Sequence, residues 1–334
     1  MKKSILIIHI FLIFVFLSCA KKEILPEKPV NNPVDYKIDL IKTIKGHERY
    51  VFYTDFSGNQ KYLATGSADQ TVRIWDTKSW NELQVISEKS YKIWGIPLMF
   101  SPDNKLLVIG SYDHLKILSV DSNFVEINSV FAHKRGIQSL YVSSDNKYVA
   151  TAGVDGEIKV WKLPNLEEFS SIIAHPGEVW SVCISPDNKF AISGGEDGFF
   201  KIWSFPDLKL IKSIKYHKLP VEYVRFSSSG KMFLVADADS TISVWKLGLY
   251  SSPYRVLRGH TGSALVAIFS LDDNYVISGG DDHTIIFYNL SNSEVINQIS
   301  DHFGDIMTLS ISPDGKFLAS GSRDRTVKIW SINL

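Results

Sequence analysis

Apolar and polar residues alternate with a period of two in short runs along most of this chain. Two such runs are TVRIW at residues 71–75 and TVKIW at residues 326–330. This alternation is typical of a half-buried β-strand and not of a helix. Turn sequences separate the runs, such as SPDN at residues 101–104 and SPDG at residues 312–315. Proline presets φ for a turn, and Asn or Gly tolerates the positive φ that follows. The pattern therefore predicts an all-β protein.

The strand and turn pattern recurs seven times. One aspartate marks each copy, and the gaps between successive aspartates are 44, 42, 42, 42, 43 and 42 residues. These aspartates are Asp69, Asp113, Asp155, Asp197, Asp239, Asp282 and Asp324. In six copies a histidine precedes the aspartate by 22 residues and an aromatic residue follows it by six. Such a period predicts a repeat architecture, and about 42 residues suffice for four short strands.

These recurring residues resemble those of a known family. The dipeptides Gly46-His47 and Gly259-His260 and the pair Trp75-Asp76 are similar to the pattern of WD-repeat β-propellers. The resemblance covers residues 36–334 and implies a seven-bladed β-propeller with one four-stranded blade per repeat.

The two ends of the repeat region predict how the ring closes. The seventh repeat has room for only three strands between its histidine and Leu334. Residues 40–47 closely match residues 210–217, which lead from the outer strand of one blade into the next. We therefore predict that the N-terminal strand completes the last blade, which would pair an edge strand otherwise open to aggregation.

The resemblance implies a structural role for the recurring polar residues. In WD-repeat proteins they form a hydrogen-bond chain from Asp to His, from His to Ser or Thr, and from Ser or Thr to the Trp indole. Four repeats contain the complete set, namely His47, Thr65, Asp69 and Trp75; His133, Thr151, Asp155 and Trp161; His175, Ser193, Asp197 and Trp203; and His302, Ser320, Asp324 and Trp330. Ser, His and Asp are also the residue types of a catalytic triad, but a nucleophilic triad occurs once and this set recurs. We predict no catalytic residue here, and no metal site, because ligands on separate blades cannot converge on one ion.

Three repeats depart from the pattern. Tyr288 replaces the Trp in the repeat of Asp282, and Val235 replaces the hydroxyl residue in the repeat of Asp239. The second repeat departs most, with Tyr91 in place of the His and Ile109 in place of the hydroxyl residue. It also has Leu118-Ser119 where the Trp is expected. We expect this second blade to depend on packing alone.

The N-terminus predicts export. Lys2 and Lys3 precede a short apolar run, so residues 1–18 are typical of a signal peptide. The run up to Cys19 resembles a bacterial lipoprotein cleavage box, which implies that Cys19 is acylated. Residues 19–35, rich in proline and charge, then form a lipidated, flexible tether. An ordinary signal peptide or an uncleaved anchor remains the alternative. Ala20 and Lys21 after the cysteine favour the outer membrane over the inner.

Charge and cysteine content exclude some functions. Without residues 1–18 the chain has 34 basic and 36 acidic side chains, so nonspecific nucleic-acid binding has no electrostatic support. Once Cys19 is acylated, Cys183 is the only free thiol, so we expect no internal disulfide in the mature chain. It lies in a strand-like apolar run and is expected in the core.

One face of the ring is the predicted binding site. In WD-repeat proteins the His and Asp loops lie on the same face, and three positions per repeat point into its entrance. The candidate residues that this implies here are Tyr50, Phe52, Trp94, Tyr112, Glu178, Trp180, Glu196, Glu222, Asp281, Asp305 and Arg323. Aromatic side chains anchor interfaces, and clustered carboxylates attract cationic partners. The alternative is that several of these aromatics only pack the loops.

We therefore expect a non-enzymatic, lipid-anchored interaction scaffold of the bacterial cell envelope. It would be a monomeric propeller without a cofactor, and its partner would be a peptide or loop with apolar and basic residues. One alternative is a propeller hydrolase or lyase that uses Glu178, Glu196 or Glu222 at the channel mouth. Another is a small-molecule or metal sensor in the channel, for which the sequence has no supporting motif.

Overall fold

The computed structural model describes residues 36–88, 95–216 and 218–334. The predicted signal peptide, Cys19, the tether, Tyr91, Trp94 and His217 lie outside these residues. The described chain contains 28 strands in seven four-stranded antiparallel sheets, and no helix. The predicted fold class, a seven-bladed β-propeller, is confirmed.

The first two strands of each blade occupy its inner half. The innermost strands, which line the central channel, are β2 (Val51–Phe56), β6 (Leu98–Phe100), β10 (Ile137–Val142), β14 (Val179–Ile184), β18 (Val221–Phe226), β22 (Ala264–Phe269) and β26 (Ile306–Ile311). The second strands are β3 (Tyr62–Ser67), β7 (Leu106–Ser111), β11 (Tyr148–Gly153), β15 (Phe190–Gly195), β19 (Met232–Asp237), β23 (Tyr275–Gly280) and β27 (Phe317–Ser322).

The other two strands of each blade form its outer half. The third strands are β4 (Thr71–Asp76), β8 (His114–Ser119), β12 (Glu157–Lys162), β16 (Phe200–Ser204), β20 (Thr241–Lys246), β24 (Ile285–Asn289) and β28 (Val327–Asn333). The outer strands are β5 (Glu82–Ser87), β9 (Val125–Phe131), β13 (Glu167–Ile173), β17 (Leu210–Ile214), β21 (Arg255–Arg258), β25 (Glu294–Ile299) and β1 (Lys37–Ile44).

A β-bulge interrupts the innermost strand in six blades, and in the second the described pairs from Leu98 to Phe100 show no register shift. In β18 the register shifts between Val221 and Tyr223, so that Glu222 is the extra residue. The same shift occurs at the corresponding position of β2, β10, β14, β22 and β26. Because a bulge breaks the strict alternation of side chains, Glu222 and Tyr223 both line the channel.

Each apolar core is shared between two neighbouring blades. Ala64 and Ile74 of blade 1, for example, pack in one cluster with Ile96 and Leu107 of blade 2. The sheets approach closely, since a Cβ on Gly66 would lie 2.1 Å from the Ile96 carbonyl oxygen. Glycine is therefore required at this contact, and a blade is buried only when both of its neighbours are present.

The ring closes as predicted. Strand β1 pairs antiparallel with β28, from Lys37 opposite Asn333 to Ile44 opposite Val327. Blade 7 therefore contains one strand from the N-terminal end of the fold and three from the C-terminal end. Beside the channel, the backbone N–H of Thr54 in blade 1 donates to the hydroxyl oxygen of Thr308 in blade 7 at 3.1 Å, so the first and last blades are also in direct contact.

The turns also follow the sequence pattern. Asn104, Asn188 and Gly315 have φ values of 62°, 56° and 72°. The described residues contain no helix with the length and hydrophobicity needed to span a bilayer.

Deleting residues 36–44 should destabilise the whole ring. The deletion exposes the edge of β28 and uncovers the core around Ile44, which is 4% exposed. We expect a lower midpoint of thermal unfolding and increased aggregation, because an unpaired edge strand recruits other chains. Calorimetry and light scattering measure the two effects.

A pair of point variants provides the matched control. Ile44→Ala should cost about 2–4 kcal/mol, as expected for a buried isoleucine. Ile41 lies on the same strand but is 47% exposed, so Ile41→Ala should reduce the free energy of unfolding only slightly. Equal unfolding midpoints for wild type and the deletion variant would contradict the closure mechanism.

Candidate partner-binding face and central channel

A hydrogen-bond chain fixes the His and Asp loops of each regular blade. In blade 1, His47 Nδ1 lies 2.8 Å from Asp69 Oδ2, and His47 Nε2 lies 2.7 Å from Thr65 Oγ1. The Trp75 indole N–H donates to the same Thr65 hydroxyl at 2.9 Å. Because the Asp carboxylate only accepts, Nδ1 carries the proton and Nε2 accepts from Thr65. Every polar member of the chain therefore has a partner.

The structure brings together the other three complete sets in the same way. In blades 3, 4 and 7 the His–Asp distances are 2.9, 2.8 and 2.7 Å. The distances from His to the hydroxyl are 2.8, 2.9 and 2.8 Å, and those from the indole to the hydroxyl are 3.0, 2.9 and 2.9 Å. Burial opposes ionisation of Asp69 and Asp324, but bonds from the His and a Thr outweigh it and hold both pKa values below the usual range.

The incomplete hydrogen-bond chains of blades 5 and 6 differ in how the missing residue is replaced. In blade 5 the Trp245 indole donates to Ser243 at 2.8 Å, so a hydroxyl on the third strand takes the place lost at Val235. In blade 6, His260 reaches Ser278 at 2.6 Å, but the buried Tyr288 hydroxyl has no hydrogen-bond partner among the described residues. Its burial raises the pKa of Tyr288 to about 12.

Blade 2 does not depend on packing alone, contrary to the expectation from sequence. Its second hairpin is one residue shorter, because His114 directly faces Ser111 across a two-residue turn. Ser111 instead donates to the buried Glu88 at 2.6 Å, and Lys116 Nζ lies 2.8 Å from the same carboxylate. Sequence reasoning missed this contact because it considered only the His, Asp, hydroxyl and Trp positions of the repeat, and Glu88 occupies the position that Asp301 has before His302.

One group of possible metal ligands occurs among the described residues. His133, Asp155 and Glu157 have ligand atoms within 4.8 Å of one another. Both nitrogens of His133 are already engaged, by Asp155 and by Thr151. The group therefore belongs to the hydrogen-bond framework of blade 3.

The acidic half of the predicted face is ordered by hydrogen bonds. Glu178 accepts from the Trp180 indole and from the Gln138 amide, both at 3.1 Å. The backbone N–H of Glu178 donates to Glu196 at 3.3 Å, and Glu196 is exposed. Glu222 of blade 5 lies lower, on the channel wall. These carboxylates therefore span the mouth of the channel from blade 4 to blade 5.

A series of side-chain contacts connects blades 6, 7 and 1 on the same face, from His283 through Asp305 and Arg323 to Tyr50. Asp305 lies 3.3 Å from His283 Nε2 and 2.8 Å from Arg323 Nη1. The guanidinium carbon of Arg323 is 5.6 Å from the centre of the Tyr50 ring, which is itself 44% exposed. Asp281 is exposed in the neighbouring blade 6 turn.

Two of the predicted aromatic anchors also pack the loops. A Cβ on Gly95 would lie 2.6 Å from the Cβ of Phe52, so Phe52 covers that backbone. Tyr112 lies over Gly136 in the same manner. Both are only partly exposed, whereas Tyr50 is free to contact a partner and Trp94 lies outside the described residues.

Phe303 is an exposed aromatic that the sequence reasoning missed. Its side chain is 89% exposed, and its backbone N–H donates to Asp324 at 3.1 Å. It directly follows His302, a position outside the three considered in each repeat. An aromatic next to a loop histidine was a signal available in the sequence.

The innermost strands enclose a channel with a cavity of about 610 Å³. Phe52, Gln138, Trp180, Glu222 and Met307 line it, all at bulge positions. Deeper residues on the wall include Asp55, Tyr141, Tyr223 and Arg225. Cys183 is buried beside them, as expected, and burial raises its pKa.

Two channel carboxyls have strongly raised pKa values. Burial raises the pKa of Asp55 to about 7, although the Phe100 N–H at 2.7 Å and the charge of Arg225 oppose it. Burial, together with the charges of Asp281 and Asp237, raises the pKa of Glu222 to about 7. The charged forms of both therefore cost folding free energy at neutral pH.

The chain matches the family described as "WD domain, G-beta repeat". The matched residues are 38–76, 124–162, 167–204, 208–246, 251–289 and 293–331. The gap between the first two matches contains most of blade 2, the blade that lacks the hydrogen-bond set.

Several known proteins are similar in sequence. The serine-threonine kinase receptor-associated protein of Mus musculus is 21% identical over 296 residues, which are 87% of this chain and 69% of that protein. Transducin beta-like protein 2 of Homo sapiens is 27% identical over 149 residues, 41% of this chain and 33% of that protein. Cell division control protein 4 of Saccharomyces cerevisiae is 42% identical over 76 residues, only 23% of this chain and 10% of that protein.

Asp55→Asn should stabilise the protein at neutral pH. The folded-state pKa of Asp55 lies above its ordinary value of 3.8, so the folded state binds more protons than the unfolded state between these two pKa values. Its contribution to stability is therefore lost as pH rises from about 4 to about 7. We expect a gain of up to about 4 kcal/mol near pH 8 and almost none near pH 4, measured by urea unfolding.

Asp324→Asn is the matched control of opposite sign. The folded-state pKa of Asp324 is lowered, so its contribution is present above the ordinary pKa and lost as pH falls. This variant should lose stability at pH 7. If Asp55→Asn stabilised the protein by the same amount at every pH, the raised pKa of Asp55 would be contradicted.

Proposed function

This chain belongs to the WD-repeat family, and we propose that it is a non-enzymatic interaction scaffold of the bacterial cell envelope. WD-repeat proteins generally act by binding other proteins, and one relative is named for its association with a serine-threonine kinase receptor. For this chain, we infer that the partner binds the face formed by the His and Asp loops.

The observation that carries this proposal is a pair of exposed aromatics beside a cluster of carboxylates. Tyr50 and Phe303 belong to blades 1 and 7, and Arg323 of blade 7 contacts the Tyr50 ring. Exposed aromatics are typical anchors of interfaces because they bury a large area at low entropic cost. They provide the apolar half of the binding surface.

The charges at the channel entrance determine the chemistry of the partner. The loop tips carry exposed basic residues such as Arg49 and Lys134, but the entrance inside them has Glu178, Glu196, Asp281 and Asp305, and Arg323 is paired with Asp305 at 2.8 Å. A negative surface accelerates encounter with cationic segments and repels acidic ones. The partner segment should therefore combine an apolar anchor with basic residues.

Replacing Tyr50 and Phe303 together by alanine should remove partner binding without unfolding the ring. Both side chains are exposed, so their loss costs little stability, but anchor residues typically contribute at least about 2 kcal/mol to binding. Affinity capture from cell envelopes, compared quantitatively between wild type and variant, measures the effect.

Val125→Ala is the control for this experiment. Val125 is 58% exposed and begins the outer strand β9, at the end of that strand remote from His133 and the loop face. Proteins captured by wild type and by Val125→Ala but lost with the double variant support the proposal. Identical capture by all three would place the binding site elsewhere.

We also propose that Cys19 anchors the domain to a membrane. The support is the sequence alone, in which the cysteine follows an apolar export signal. Residues 19–35 would then hold the propeller off the bilayer, and the residues after the cysteine favour the outer membrane.

Cys19→Ser should release the protein from the membrane fraction. The variant has no thiol for acylation, so it should neither incorporate labelled palmitate nor partition into detergent. Cys183→Ala keeps Cys19 and is the matched control, since Cys183 is buried in the propeller. Palmitate labelling that persists in Cys19→Ser but disappears in Cys183→Ala would refute the assignment.

A further inference from the structure

The channel wall contains a cationic side chain without an acidic partner. Arg225 lies on β18, and its guanidinium carbon is 4.9 Å from the centre of the Tyr141 ring. Across the described residues, no carboxylate oxygen comes within 4.0 Å of its nitrogens. Asp55 is the carboxyl whose charge acts on Arg225, and burial raises the pKa of Asp55 to about 7, so it is only partly ionised at neutral pH. An enclosed cation that is not paired destabilises a fold, so its presence calls for an explanation.

The same strand places an acid nearer the loop face. Glu222 precedes Arg225 by three residues, which corresponds to roughly 10 Å along a strand. The bulge at Glu222 brings both side chains to the channel wall. Glu178 adds a second carboxylate at this end and is held in place by Trp180 and Gln138. The end of the channel near the loop face therefore has the carboxyls of Glu222 and Glu178, and the deeper part has Arg225 together with the partly ionised Asp55.

The space between these charges has the size and walls of a ligand site. Its volume of about 610 Å³ lies within the usual range for small-molecule pockets. Phe52, Leu265 and Met307 provide an apolar wall at the level of Glu222, and Tyr223 lies one residue deeper. An apolar wall with few, well-placed charges is the usual composition of such pockets.

We propose that the channel binds a small dipolar molecule, with its carboxylate on Arg225 and its ammonium group at Glu222 and Glu178. Suitable classes are ω-amino carboxylates and peptides of two or three residues. The planar guanidinium of Arg225 can receive a carboxylate through two parallel hydrogen bonds. A simple anion would be repelled by the acidic mouth, and a simple cation by Arg225.

Three small molecules of equal chain length test the charge pattern on the unaltered protein. The probes are 6-aminohexanoate, hexanoate, which lacks the ammonium group, and hexylamine, which lacks the carboxylate. We expect 6-aminohexanoate to raise the midpoint of thermal unfolding and to bind at least about tenfold more tightly than the other two, by calorimetry. The absence of binding at millimolar concentration, or equal binding of all three, would overturn the proposal.

Two substitutions assign the ends of the ligand. Arg225→Met should abolish discrimination between 6-aminohexanoate and hexylamine, while the unliganded variant stays at least as stable as wild type, because an unpaired charge is removed. Glu222→Gln should reduce the advantage of 6-aminohexanoate over hexanoate. Should Arg225→Met not fold, Glu222→Gln and the wild-type comparison still decide the outcome.

Arg258→Met controls for a general loss of positive charge. Arg258 is exposed on the outer strand β21, so its replacement should leave the affinity for 6-aminohexanoate unchanged. If Arg225→Met loses stability but binds 6-aminohexanoate as wild type does, then Arg225 only balances Asp55 and the proposal is wrong. The double variant of Tyr50 and Phe303 should retain 6-aminohexanoate binding, so failure of this site is distinguishable from failure of the partner-binding face.

Discussion

The pairing of β1 with β28 is the contact on which the rest of the fold depends. Every apolar core in this protein is shared by two neighbouring blades, so no blade can bury its surfaces alone. A row of such blades would leave two apolar ends, and only closure removes both. The antiparallel ladder from Lys37 to Ile44 completes blade 7, and the Thr54–Thr308 hydrogen bond connects blades 1 and 7 beside the channel. The stability of seven blades therefore depends on one strand of eight residues.

The polar framework serves a different purpose from the cores. In blade 1, Asp69 accepts from His47, from Thr71 and from the backbone N–H of Glu48. These bonds hold a loop and a turn that otherwise have few apolar contacts. Because the same arrangement recurs around the ring, it provides a rigid base for side chains such as Tyr50 and Arg323. The repeated residues thus maintain the fold, and the variable residues beside them are available for binding.

The sequence predicted most of this fold and part of the candidate site. Regular spacing of Asp, His and Trp was enough for the blade number, and the match between residues 40–47 and 210–217 was enough for the closure. Residues that act through tertiary contact were missed. Ser243 takes over from Val235 because third and second strands face each other, and Glu88 partners Ser111 across a loop. The bulge at Glu222 was also invisible, since a one-residue register shift leaves no mark in composition.

The closure strand has a consequence for the order of the blades. Lys37 and Asn333 are directly opposed in one ladder, so the two ends of the folded region lie only about 5 Å apart. A short linker could span that gap, and the polypeptide could then be opened at a different blade junction while every interface was kept. In this architecture only the order of the polypeptide distinguishes the first blade from the last, because every blade in the ring packs against two neighbours.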